Sequence, residues 1–91
     1  MIAPGTQVRL TDNHIESILD GEVIIMNVQS GQYYGLEGIS RDIWNLLQSP
    51  TCVETICRSI VQEYEVTPEQ CHDDVTAFLD TLIDEGLLVT V

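Results

Sequence analysis

Hydrophobic and polar positions change rhythm once along this chain, near residue 37. Before that point short apolar runs are separated by turn residues; after it, apolar residues recur three and four positions apart. Asp20-Gly21 is a two-residue hairpin signal between His14–Leu19 and the run at 22–28. Glycine takes positive φ at little cost, and aspartate tolerates it better than most residues. Val23-Ile24-Ile25-Met26-Asn27-Val28 is apolar on both faces, which predicts a central strand or one covered on both sides. Gln29-Ser30-Gly31 marks the next turn, and residues 32–36 the next strand. Residues 6–11 alternate weakly and read as an extra strand or an arm.

The helical part is more sharply marked. Ile39, Ile43, Trp44 and Leu47 predict a helix over 38–48, stopped by Pro50. Thr51-Cys52-Val53-Glu54 has the form of a capping box, opening a second helix with Val53, Ile56, Cys57, Ile60, Val61 and Tyr64 on one stripe. Thr67-Pro68-Glu69-Gln70 is another capping box, with proline where the first helical residue needs no donor. The third helix carries Cys71, Val75, Phe78, Leu79, Leu82 and Ile83, and Gly86 is its C-terminal stop. Residues 87–91 read as a short final strand or an extended tail. The expected fold is therefore α+β and winged-helix-like, an N-terminal three-stranded antiparallel sheet followed by three helices. At 91 residues, 1–91 forms a single domain.

Charge narrows the function classes. Fifteen Asp and Glu stand against three Arg and no Lys, a formal net charge of −12. Such a chain repels phosphate backbones and anionic membrane surfaces, so neither nucleic acid nor membrane is an expected partner. The winged-helix layout suggests DNA recognition, but the helix that would enter the groove carries Glu69, Asp73, Asp74, Asp80, Asp84 and Glu85 and no cation. A basic peptide is the electrostatically favoured partner. No apolar run is long enough for a transmembrane span, and the N-terminus lacks signal-peptide character. Cys52, Cys57 and Cys71 have no framework or metal-ligand spacing, so reduced thiols in a cytoplasmic protein are expected.

Candidate chemistry is thin. His14 and His72 are far apart in sequence, there is no nucleophile elbow, and no phosphate loop follows a strand. An enzyme is not expected, nor a metal or cofactor. The Asp-Ser-Leu attachment site of a carrier protein is also lacking. What stands out is Gln32-Tyr33-Tyr34-Gly35-Leu36 beside an acidic helix. As an edge strand it offers unpaired backbone groups to which an extended peptide can add. Tyr34 and Leu36 share one face, toward the helices, and Tyr33 takes the other. Cys71, Asp74, Val75 and Phe78 form the expected opposing wall, Leu79 and Leu82 face the bundle, and Asp73 and Asp74 are candidates to attract a basic residue.

Asp20-Gly21-Glu22-Val23-Ile24-Ile25-Met26, Gly31-Gln32-Tyr33-Tyr34-Gly35-Leu36 and Ile43-Trp44-x-x-Leu47 together resemble the PqqD-like family. Tyr64-Glu65-Val66 and Cys71-x-x-Asp74-Val75-x-x-Phe78-Leu79-x-x-Leu82 continue the resemblance over roughly residues 14–90. Members are recognition elements for ribosomally made, modified peptides, and the Tyr-Tyr-Gly-Leu pattern is most similar to the leader-binding proteins of lasso peptide biosynthesis. The resemblance implies a non-enzymatic role. It implies a precursor peptide leader bound antiparallel to the third strand and against the third helix. The implied partners are a leader peptidase of the transglutaminase-like cysteine protease type and a lasso cyclase. Two alternatives stay open: a peptide chaperone for a radical-SAM enzyme, and a winged-helix dimerisation module without DNA contact. The family usually has Asn or Asp where this chain has Glu37, a poorer helix cap.

Overall fold

A computed structural model describes residues 2–91. The order is β1 (Gln7–Leu10), β2 (His14–Leu19), β3 (Glu22–Asn27), β4 (Tyr33–Leu36), α1 (Ile39–Leu46), β5 (Thr51–Cys52), α2 (Val53–Glu63), α3 (Pro68–Asp84) and β6 (Leu88–Thr90). The α+β class and the strands-then-helices order are as the sequence predicts. The strands, however, divide into two three-stranded antiparallel sheets, β2-β3-β4 and β5-β1-β6. The first is the expected meander. The second gathers residues 6–11, the stretch before α2 and the C-terminal residues, three segments too short to stand alone.

The hairpin turns as expected, with Asp20 at φ 53° and Gly21 at φ 82°. β3 alternates cleanly: Val23, Ile25 and Asn27 are buried, while Glu22, Ile24 and Met26 are half-covered on the outer face. The inner face meets Ile43 and Trp44 of α1, Ile56 and Ile60 of α2 and Val75, Leu79 and Leu82 of α3, all buried in one core. Trp44 is wholly enclosed. Its Nε1 donates to Glu16 of β2, and His14 packs edge-on against its ring at 5.1 Å.

The helix starts show how tertiary structure alters local rules. At α3, Thr67 accepts from the Gln70 backbone N–H at 3.2 Å, the first half of the expected capping box. The Gln70 side chain does not turn back; it donates to Asp74 at 2.9 Å. At α2 the expected box does not form. Thr51 is committed to the β1–β5 ladder, the N-cap is Cys52, and no side chain caps the helix. The N–H of Glu54 is satisfied by the carbonyl of Pro4 at 3.1 Å, so the N-terminal arm supplies what the threonine does not. α1 starts from Gly38 without a side-chain cap.

The end of α3 is built as a Schellman motif. Gly86, at φ 74°, donates to Ile83 O at 3.0 Å, and Leu87 donates to Leu82 O at 2.9 Å. Leu82 and Leu87 are both buried, the apolar contact this motif usually carries.

Candidate functional site

β4 is paired on one side only. The Asn27 N–H donates to Gln32 O at 2.9 Å, and β3–β4 pairs run in register from Met26↔Tyr33 to Val23↔Leu36. In an antiparallel ladder the directly bonded pairs alternate. Tyr34 and Leu36 thus direct their backbone groups to β3, and Tyr33 and Gly35 direct theirs to the open edge. Side chains follow the other alternation. Tyr34 and Leu36 point in toward the helices, while Tyr33 and Gly35 are exposed on the outer face. Tyr33 there adjoins Ile15, Ser17, Ile24 and Met26 around a shallow depression.

Between β4 and α3 lies an apolar notch of about 40 Å³, lined by Ile25, Tyr34, Leu36, Phe78, Thr81, Leu82, Glu85 and Leu87. Phe78 is half-buried and packs against the edge of the core. The Tyr34 hydroxyl donates to Gln32 Oε1 at 3.0 Å. The Glu85 carboxylate is an alternative acceptor for the same proton; that hydrogen-bonding influence, and burial after it, push the phenol above its usual range. Gln32, Tyr34, Leu36 and Phe78 are therefore gathered at one place.

The other expected wall residues are distributed differently. Val75 and Cys71 are 1% and 2% exposed and belong to the α2–α3 core beneath the notch. The Cys71 thiol faces the Cys57 carbonyl at 3.9 Å, and burial, with Cys71 beside it, pushes the Cys57 thiol up to about 12. Asp74 is exposed one turn before Phe78 on the same stripe and holds Gln70. Asp73 lies roughly 140° round the axis from Phe78, beside Pro68, Glu69 and His72. Leu79 is buried in the bundle as expected; Leu82 is buried and also floors the notch.

Three positions at or behind the notch are absent from the expected site. Glu85 and Leu87 reach the notch only because the Schellman turn folds the chain back. Asn27, which the sequence places in a run apolar on both faces, is buried and bonded to Glu85 O at 2.8 Å. Its inward alternation with Val23 and Ile25 was the one available signal.

A larger depression of about 230 Å³ between α1 and α2 is walled by Asp42, Asn45, Leu46, Ser59, Ile60 and Glu63. Among the described residues no three His, Cys, Asp or Glu side chains are grouped as metal ligands would be. No described helix is long and apolar enough to cross a membrane.

The site is thus an open strand edge beside an apolar notch on a helix, a geometry that other proteins use to bind extended peptides. The chain belongs to the PqqD family: the model for Coenzyme PQQ synthesis protein D matches residues 22–88. Among solved structures it is similar to TbiB1 in complex with the TbiA(beta) leader peptide, with a TM-score of 0.80 and 31% identity over 88% of this chain and 93% of that one. It is also similar to lasso peptide synthetase B1 complexed with the leader peptide, with a TM-score of 0.79 and 21% identity over 90% of this chain and 96% of that one; this likeness concerns the fold. No curated protein sequence matches it significantly.

Proposed function

We propose that this chain is a non-catalytic peptide-recognition protein that binds the leader of a ribosomally synthesised precursor, of the lasso type, and presents it to a leader peptidase. The leader adds antiparallel to β4 through the free backbone groups of Tyr33 and Gly35. One of its apolar side chains enters the notch between Tyr34, Leu36 and Phe78. Asp74 on the stripe of α3 that carries Phe78, and Glu85 at the C-cap of that helix, favour a basic residue nearby, and the net charge of −12 draws a basic peptide from a distance. Asp73, Cys71 and Val75 act less directly: the first through the general field, the other two by supporting the helix under Phe78. The open β4 edge facing an apolar notch is the observation that carries this reading. Family membership and the leader-bound relative at 31% identity support it.

The test uses Gly35→Pro. Proline removes the Gly35 N–H, which points to the open edge and not into the β3–β4 ladder, so the fold tolerates what the ligand does not. Fluorescence titration with a labelled lasso-precursor leader peptide should show binding to the wild type and its loss in Gly35→Pro, with the thermal transition retained. Normal binding by a folded Gly35→Pro variant removes strand addition at this edge from the account.

A further inference from the structure

Asn27 is the polar member of an otherwise apolar row. It faces inward from β3 with Val23 and Ile25 and is 2% exposed. A buried amide is tolerated when its groups are paired, and both ends of this one are engaged. Oδ1 accepts from Gln29 N–H at 2.9 Å and Ser30 N–H at 3.3 Å, shaping the β3–β4 turn. Nδ2 donates to the carbonyl of Glu85, 58 positions away, at 2.8 Å. That carbonyl lies at the end of α3, where helical acceptors lack intrahelical partners. The next carbonyl, of Gly86, is held from a different segment by Thr11 Oγ1 at 2.7 Å and Asn13 Nδ2 at 3.0 Å. The C-terminal end of α3 is thus tied to the turn that leads into β4. The residues at that end, Leu82, Glu85 and Leu87, line the notch.

We propose that Asn27 is a positioning residue for the peptide groove: its amide holds the β3–β4 turn against the end of α3 and so sets the spacing between Tyr34 on one wall and Phe78 and Glu85 on the other. This rests on the leader-binding reading above. The two halves of the amide have separate tasks. The oxygen shapes the turn; the nitrogen ties it to the helix. In Asn27→Asp the carboxylate still accepts from Gln29 and Ser30 but has no proton for the Glu85 carbonyl, and the two oxygens repel. Asn27→Ser keeps a turn acceptor too short to reach Glu85 and carries the same expectation.

The experiment titrates the labelled leader into the wild type, Asn27→Asp, Asn27→Ser and Ile60→Val, at a temperature where each is folded. Ile60 is buried away from the notch, so its variant controls for lost stability alone. The expected result is affinity weakened about tenfold or more in both Asn27 variants, because a groove of the wrong width is no longer preorganised. Ile60→Val should bind within about twofold of wild type despite melting earlier. Folded Asn27 variants that bind within about twofold of wild type overturn the proposal. If the wild type itself does not bind, the leader-binding reading falls, and Asn27 is judged on the peptide-free protein by NMR. Ring-proton shifts of Tyr34 and Phe78 that move in the Asn27 variants and not in Ile60→Val support the tie; unmoved shifts overturn it.

Discussion

Phe78 and Leu79 are consecutive residues with opposite surroundings. Leu79 is wholly buried between the helices, and Phe78 is half-buried at the notch. Their roles are separable by truncation. Leu79→Ala leaves a core cavity and should cost about 2–5 kcal/mol of stability, while its folded fraction binds leader normally. Phe78→Ala should cost less stability and remove a contact worth about 2 kcal/mol or more, roughly thirtyfold in affinity. Thermal unfolding beside a leader titration checks both. An early-melting Phe78→Ala whose folded fraction binds like wild type would return Phe78 to the core. Helical spacing alone places Val75 almost as close to Phe78 as Asp74 is, yet Val75 is buried and Asp74 exposed. The difference is set by α2, which covers one flank of the stripe and leaves the other open.

At the scale of elements, the two threonine-led helix starts make a controlled comparison. Both have the capping-box pattern, and only Thr67 accepts a helix N–H. Thr67→Ala should lower stability by about 1 kcal/mol. Thr51→Ala removes no cap, and its effect should stay within about 0.5 kcal/mol. Urea denaturation midpoints distinguish the two, and equal losses would mean that Thr51 caps α2 after all. The local pattern was legible at both places. At Thr51 it competes with a strand pairing to β1, whose residues lie more than forty positions earlier, and in the folded chain the pairing sets the backbone there. Residues 6–11 were legible only as a strand or an arm, and their partners not at all. Strand propensity names no neighbour, and β1 found β5 and β6 instead of the meander.

For the whole molecule, alkaline pH is the informative stress. The Cys57 thiol has an ordinary value of 9.0 when exposed and about 12 in the fold, where burial holds its proton. The folded state therefore retains a proton that the unfolded state releases. This contribution is fully present below pH 9 and is lost as pH rises from there toward 12. Tyr64, raised chiefly by its hydrogen bond to Asp42, and Tyr34, raised by Glu85, act in the same direction at higher pH. Denaturant stability should fall above pH 9, and Cys57→Ser should fall less steeply over pH 9–10; parallel curves would show that the thiol is not protected. The sequence by itself determined the order of the three meander strands and the three helices, the Asp20-Gly21 hairpin, the stop at Gly86, the acidic character of α3 and the face of β4 that Tyr34 and Leu36 share. Each depends on backbone preference or on side-chain spacing within one element, which neighbouring residues settle among themselves. Tertiary structure alone decided that β4 keeps a free edge, that Cys71 and Val75 lie beneath the groove, that Glu85 and Leu87 reach it, and that Asn27 ties the turn to α3. Those facts concern which surfaces meet across dozens of residues, and one element's periodicity holds no information about the surface that will cover it.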